Sequence, residues 1–370
     1  MKIVICVDRL TGGGAQRVAA LWAQGFVKYG HEVSMVLSNN RAPVTYHVPP
    51  QVRMFSVDFD IKNGYVRYLC KSLFLIKKLR RIFQSVQPDV VIGVGIGWAQ
   101  KIDKARGNMK FKVVMTDHYS YERPSSATSP ISDKAHQLRF EFNKRFDAVT
   151  VLTQADKEYI GERLNNVYVL PNPLAFTPLN EGNKIKREKN ILAVGRLNDP
   201  ICKGFDLLIE AFGKIAKEFP EWRLCIMGEG NEAEQNSLRS MAKTNKIDKV
   251  FDIVPFQADP LPIYRKSGIF CLSSRYEGFG MVLIEAMSQG CACVACDYKG
   301  RQREIIPNDD YGLVCDADDV DALANALKKM ISDEEYRHKV ERNAPNRAQF
   351  YSVDNIMQRW NEIFKQSGII

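Results

Sequence analysis

Two glutamates separated by seven residues, Glu277 and Glu285, lie in the stretch Ser273-Ser-Arg-Tyr-Glu-Gly-Phe-Gly-Met-Val-Leu-Ile-Glu-Ala-Met-Ser-Gln-Gly290. The apolar run before it, Gly268-Ile-Phe-Cys-Leu272, reads as a buried strand. Gly278 and Gly280 make a turn, and Met281 to Ser288 reads as a helix ended by Gly290. Glu277 then falls in a strand-to-helix loop and Glu285 one turn inside the helix. The first backbone N–H groups of such a helix lack intrahelical partners and favour anionic oxygen. A carboxylate on the loop and another on the helix can each accept from sugar or ribose hydroxyls, which suits a nucleotide sugar. The competing reading is an ordinary strand–helix unit with surface acids.

A second cluster is Gly195-Arg196-Leu197 with Lys203-Gly204. Arg196 leaves a strand, and Lys203 stands just before a helix starting at Phe205, so two cations and a helix start converge where a diphosphate can lie. Two surface cations flanking a turn would look the same. Gly228-Glu-Gly230 and Val254-Pro-Phe256 each end a further strand. Near the start, Gly12-Gly13-Gly14-Ala-Gln16-Arg17 follows the first strand and opens a helix, where glycines let backbone amides approach an anion. As a dinucleotide fingerprint it fails, because Gly-x-Gly-x-x-Gly needs glycine where Arg17 stands, and the second strand ends in Ser38-Asn-Asn40 without a ribose-binding acid. Thr116-Asp117-His118 ends another strand; a lone histidine is more often structural.

The pattern Glu-Gly-Phe-Gly…Glu-Ala around Glu277 and Glu285 resembles the E-x7-E signature of the retaining glycosyltransferases of family 4, whose fold is GT-B. Arg196 and Lys203 match that family's GRL…KG motif residue by residue. The resemblance implies a nucleoside-diphosphate sugar on the second domain, UDP being the first choice of nucleotide. Glu285 would hold ribose hydroxyls, Glu277 hydroxyls of the transferred sugar, and Arg196 with Lys203 the departing diphosphate. Gly228, Phe256 and the segment Gly278, Phe279, Gly280, Met281, Val282 would line the donor, with Phe256 equally readable as a core aromatic. His118 and the Gly13–Gly14 amides would meet the same sugar from the first domain, across a cleft that closes. Family 4 enzymes retain anomeric configuration. With no clear residue to attack from the opposite face, the expectation is front-face attack with the diphosphate as base. No metal is expected: no Asp-x-Asp motif ends a strand in this context, and Asp316-Ala-Asp318 falls in a turn-like stretch.

The acceptor is read from variants of the motifs. Pro171-Asn-Pro-Leu174 and Arg275-Tyr-Glu-Gly-Phe-Gly280 resemble those of bacterial transferases that build surface polysaccharides on polyprenyl-diphosphate carriers. A hexose or N-acetylhexosamine passed to a lipid-linked glycan is therefore expected, with a soluble small-molecule acceptor as the alternative. Gly300-Arg-Gln-Arg-Glu304 departs from the commoner Gly-x-Pro-Glu pattern, which leaves the identity of the sugar open.

These residues need two scaffolds. A chain of 370 residues is comfortable for two domains, and both halves alternate strand and helix signals, the mark of parallel, doubly wound α/β sheets. Expected strands are Lys2–Val7, Glu32–Leu37, Val52–Val57, Val90–Gly93, Phe111–Thr116, Ala148–Leu152 and Val167–Leu170, then Asn190–Gly195, Trp222–Met227, Val250–Val254, Ile269–Leu272 and Ala292–Cys296. The pattern breaks at Pro171-Asn-Pro173, and Asn180–Asn190 is polar enough for a linker. The domains are accordingly placed at 1–175 and 185–349, with a last helix at about 350–370, Val353–Lys365 with Trp360 at its centre, crossing back to the first by resemblance.

Charge is uneven. The net +9 resides in the first half: residues 1–175 hold 25 Lys and Arg against 14 Asp and Glu, the remainder 27 against 29. An anionic partner for that half follows, whether a phosphorylated acceptor, a membrane surface or nucleic acid. Arg67, Lys71, Lys77, Lys78, Arg80 and Arg81 punctuate Leu69, Leu73, Leu75, Ile76, Leu79 and Phe83, a basic amphipathic helix able to lie on anionic lipid or simply to cover a core. Nucleic acid is disfavoured for want of any RRM, helix-turn-helix or zinc pattern. A nicotinamide-dependent oxidoreductase is disfavoured by the failed fingerprint. No run of about 18 apolar residues exists, the start reads as a strand rather than a signal peptide, and nine cysteines, an odd number, sit mostly in apolar runs. The expectation is a cytoplasmic protein, peripheral at most on the inner membrane face. Cys293 and Cys296 form a CxxC, but in a strand that spacing points to opposite faces, so a buried strand is read there.

Overall fold

The computed structural model describes the backbone of residues 1–38, 43–58, 64–122, 133–180, 185–257 and 259–370, with the side chains of 64–72 and 133–136 lying outside it. The chain divides into two compact units, Met1–Pro173 with Val353–Ile370, and Leu174–Ser352.

Strands buried on both faces build the first unit. In β1 (Lys2–Val7) every residue from Ile3 onward is at most 1% exposed, which requires helices on both sides of a parallel sheet. The series continues α1 (Gly14–Lys28), β2 (Glu32–Leu37), β3 (Arg53–Ser56), α2 (Gly64–Val86), β4 (Val90–Val94), α3 (Ile96–Arg106), β5 (Lys112–Thr116), α4 (Asp133–Asn143), β6 (Ala148–Val151), α5 (Gln154–Ile160) and β7 (Val167–Val169). The sheet order is β3-β2-β1-β4-β5-β6-β7, with every neighbouring pair parallel.

The second unit repeats the scheme with β8 (Glu188–Val194), α6 (Phe205–Ile215), β9 (Arg223–Gly228), α7 (Glu232–Thr244), β10 (Phe251–Pro255), α8 (Leu261–Lys266), β11 (Ser267–Leu272), α9 (Met281–Ser288), β12 (Ala292–Asp297), α10 (Arg301–Ile305), β13 (Leu313–Asp316), α11 (Val320–Ser332) and α12 (Glu334–Ala348). Its order is β10-β9-β8-β11-β12-β13, again wholly parallel.

The chain enters the second unit before the polar stretch read as a linker. Leu174 N–H donates to Tyr351 O at 2.6 Å and Leu179 N–H to Ser288 O at 2.8 Å, so both residues are anchored there. Asp316 also differs from expectation. It ends β13 rather than lying in a turn, because the short apolar run Leu313–Cys315 pairs with β12, from Val294↔Leu313 to Asp297↔Asp316. Helix α12 carries Pro345 inside it, where proline cannot donate to the helical ladder.

Helix α13 (Val353–Gln366) returns to the first unit and packs on α1. Trp360, fully buried, meets Trp22 edge to face with ring centroids 5.3 Å apart, and Phe364 stacks on Phe26 at 6.1 Å. Gly25 makes the close approach: a Cβ there would lie 2.6 Å from the Met357 sulfur.

Candidate active site

Since the second sheet is parallel throughout, its six strands end on one edge. That edge collects the Gly195–Gly204 loop after β8, Glu229-Gly230 after β9, Phe256 after β10 and Ser273–Gly280 after β11. Strands β8 and β11 are neighbours, and this brings Lys203 and Glu277 together across 74 positions of sequence.

Lys203 Nζ donates to Glu277 Oε2 at 3.0 Å, with both side chains about a quarter exposed or less (25% and 20%). The Glu277 carboxylate beside it raises the lysine above its ordinary range, against a smaller opposing effect of burial, and Arg196 weakly counters the rise. Ser274 Oγ also reaches Glu277 Oε2, at 3.4 Å, and Ser273 Oγ donates to the Lys203 carbonyl at 2.9 Å. Arg196 is exposed and makes no ion pair among the described residues. The two loops touch through backbone. Gly204 is left-handed (φ 63, ψ 27), and a Cβ on it would fall 1.9 Å from Ser273 O. Gly228 is held as closely, its Cβ position 1.9 Å from Gly195 O. Only glycine fits either place.

The turn through Gly278 ends at Gly280 (φ 98), and α9 starts with neither a side-chain cap nor an acid in its first turn. Leu283 is the first amide to donate back, to Gly280 O at 2.9 Å, and the N–H groups of Met281 and Val282 have no acceptor among the described residues. Phe279 is turned inward, 4% exposed and edge-on to Tyr351 at 5.4 Å, so its side chain packs and only its backbone faces the loop. Glu285 is 3% exposed and accepts from the fully buried Tyr264 hydroxyl at 3.2 Å. Tyr264 escaped sequence reading because α8 carries no motif. Phe256, 63% exposed past the end of β10, is not a core residue.

Asp316 and Asp318 are held by arginines: Arg303 meets Asp316 at 3.0 Å, and Arg275 pairs with Asp318. Among the described residues no group of His, Cys, Asp and Glu is placed to hold a metal. Cys293 and Cys296 are buried in β12, where Cys296 lies beside Cys315 of β13, sulfur to sulfur 3.8 Å.

In the first unit, His118 follows β5. Its ring lies 5.6 Å from that of Trp22, and its Nε2 is 3.2 Å from Thr116 Oγ1. Burial lowers the imidazole to about 4, outweighing Asp117 and Asn172, so it is neutral at pH 7. Among the described residues Nδ1 has no hydrogen-bond partner of ordinary geometry. Gly13 (φ 82) precedes α1, which starts at Gly14 without a side-chain cap or a first-turn acid. The Ser- and Pro-rich stretch Tyr119–Pro130 reads from the sequence as a loop near the acceptor; beyond Glu122 it lies outside the described residues. On α2, the side chains of Arg67 and Lys71 also lie outside them. Leu75, Leu79 and Phe83 are buried, whereas Leu73 and Phe74 are 69% and 46% exposed. Two of its cations serve the fold: Arg80 donates to the Ala105 and Lys104 carbonyls, and Lys78 to Asp58 O. Lys77 and Arg81 are exposed. Among the described residues no helix is long and apolar enough to cross a membrane.

Two Rossmann-like sheets with glycine-rich strand ends define a class, and solved structures share it. The chain matches sucrose-phosphate synthase from Thermosynechococcus elongatus with a TM-score of 0.80 at 17% identity, covering 99% of this chain and 98% of that one. It matches Anabaena Alr3699/HepE in complex with UDP-glucose at 0.76 and 18%, covering 99% and 100%. The fold is GT-B. Two family models divide the sequence, "Glycosyltransferase Family 4" over residues 12–175 and "Glycosyl transferases group 1" over residues 178–347. Among similar proteins, the amylovoran biosynthesis glycosyltransferase AmsD of Erwinia amylovora is 28% identical, over 98% of this chain and 99% of that protein. A Campylobacter jejuni transferase is 24% identical over 99% of both chains. Its name is GalNAc-alpha-(1->4)-GalNAc-alpha-(1->3)-diNAcBac-PP-undecaprenol alpha-1,4-N-acetyl-D-galactosaminyltransferase. The chain belongs to the family 4 glycosyltransferases of GT-B fold and is a glycosyltransferase. The oxidoreductase alternative falls with that assignment.

Proposed function

We propose that the protein transfers a hexose or N-acetylhexosamine, with retention, from a UDP-sugar to a polyprenyl-diphosphate-linked glycan in the assembly of a bacterial surface polysaccharide. The observation that carries the donor half is the Lys203–Glu277 pair at 3.0 Å, set beside exposed Arg196 and the uncapped start of α9. Cations and free amides suit a diphosphate, and a neighbouring carboxylate suits sugar hydroxyls. Lys203 and Arg196 stabilise charge developing on the leaving diphosphate, the electrostatic contribution that dominates most such catalysis. That electrostatic role needs no metal ion, and attack from the front face, with the diphosphate oxygen taking the acceptor proton, needs no protein nucleophile. Glu285, oriented by Tyr264, takes the ribose hydroxyls. His118 offers a neutral imidazole to a sugar hydroxyl.

Support for UDP comes from the Anabaena neighbour, solved with UDP-glucose. Support for the lipid-linked acceptor comes from the undecaprenol-diphosphate glycan in the name of the Campylobacter relative. The positive first half and the exposed Leu73 and Phe74 of α2, flanked by Lys77 and Arg81, favour contact with an anionic lipid surface. The test is a UDP-sugar panel assayed in EDTA, with polyprenyl-diphosphate-linked and free glycan acceptors side by side. Transfer to the lipid-linked acceptor with the donor's anomeric configuration kept supports the proposal. Transfer to the free glycan alone, inversion, or loss in EDTA overturns the corresponding part.

A further inference from the structure

We propose that Arg275 is a positioning residue for sugar transfer: its guanidinium ties three strand-end loops together and thereby fixes the loops that carry Lys203 and Glu277. The inference rests on the donor-site reading of those two residues. It starts from geometry. Arg275 Nη1 and Nη2 grip Asp206 Oδ1 and Oδ2 at 2.7 and 2.8 Å, a two-pronged pair. The same Nη1 donates to Ile201 O at 2.7 Å, and Nε pairs with Asp318. The backbone N–H of Arg275 adds a bond to Cys202 O at 2.9 Å. Asp206 opens α6, two residues after Gly204, while Asp318 follows β13. One planar group therefore spans loops from β8, β11 and β13.

The β8 and β11 loops also meet through Ser273 Oγ on the Lys203 carbonyl and through Lys203 and Glu277 themselves. Arg275, however, is the side chain that ties both of them to Asp206 and to Asp318 after β13. One carries Gly204 beside Lys203; the other carries Gly278 and Gly280 after Glu277. Gly204 and Gly280 hold left-handed conformations beside the two side chains, so the loops adopt geometries that only glycine takes readily. The arginine is 23% exposed and Asp206 27%, so the pair is shielded more than an ordinary surface bridge. An ammonium cannot replace it, since only the guanidinium fork reaches two carboxylates and a carbonyl in one plane. Misplacing a binding group by about 1 Å can cost about 100-fold in rate.

The test uses the full chain and whichever of UDP, GDP and ADP binds the wild type by titration calorimetry. Arg275→Lys is expected to melt within a few degrees of wild type yet bind that nucleotide about tenfold more weakly. Arg275→Ala is expected to regain part of that loss in tens of millimolar guanidinium chloride, with methylammonium chloride giving none. Lys203→Met and Glu277→Gln run alongside. If both bind and transfer like wild type, or if no nucleoside diphosphate binds, the donor-site reading is wrong and this inference goes with it. If those two are impaired while Arg275→Lys binds within twofold of wild type, the positioning role alone is overturned. A loss in Arg275→Lys that only tracks a lowered melting temperature, or an Arg275→Ala that guanidinium does not rescue, overturns it too.

Discussion

Lys203 and Glu277 are each other's partner: the ammonium of one lies 3.0 Å from a carboxylate oxygen of the other. An arriving diphosphate must compete with Glu277 for the lysine, and a sugar hydroxyl must compete with Lys203 for the carboxylate. Opposite effects of substitution follow. Lys203→Met should weaken UDP binding about 10- to 100-fold, the worth of one charge-assisted hydrogen bond. Glu277→Gln frees the lysine, so UDP binding should stay or tighten while transfer falls about 100-fold. Calorimetry and initial rates check this. Parallel losses of UDP affinity in both variants would contradict competition.

His118 is held neutral by burial, at about 4 against the free value of 6.5. A group whose folded value is depressed contributes stability that is full above pH 6.5 and is lost as pH falls toward 4. Over that window the loss should approach about 3 kcal/mol at most. Melting curves of wild type and His118→Asn between neutral and acid pH should diverge below pH 6.5. An imidazole seen by NMR to titrate near its free value would remove the argument.

The close approach at Gly204 and Gly228 sets a stability test. An added Cβ would meet a carbonyl oxygen at 1.9 Å in each, so Gly204→Ala and Gly228→Ala should each cost roughly 3 kcal/mol or more. Gly30→Ala is the control: its φ is 80 but the space is open, so about 1 kcal/mol of backbone strain is expected. Denaturant midpoints compare the three.

Trp360→Ala should destabilise by about 3–5 kcal/mol, the usual cost of emptying a buried aromatic site. Its ring packs on Trp22, which in turn lies against His118, so activity should fall with stability. Chemical denaturation followed by tryptophan fluorescence measures the first effect. An unchanged midpoint would mean that α13 contributes little to the first unit.

Much of this was legible before any coordinates. Strands such as Lys2–Val7 and Glu32–Leu37 emerge at the expected residues, because runs buried on both faces leave an unbroken apolar signature. The turn read through Gly278 and Gly280 is there, with Gly280 at φ 98, whereas the backbone contacts at Gly204 and Gly228 could not be read from the sequence. The stretch after Cys296 was harder. Strand β13 is only four residues long, and α12 contains a proline, so neither shows a clean period.

Local order thus decided which residues stand at the ends of strands and the starts of helices: periodicity, glycine and side-chain charge act over a few positions. Which of them meet was decided by sheet order and by the packing of helices on the sheet. Glu277 finds Lys203 because β11 lies beside β8, and Tyr264 finds Glu285 because α8 and α9 flank the same strand. Those partnerships, the inward turn of Phe279 and the three-loop grip of Arg275 depend on contacts between segments far apart in the chain. No local pattern encodes such contacts, since a residue's neighbours across a parallel sheet are chosen by the packing of the whole unit.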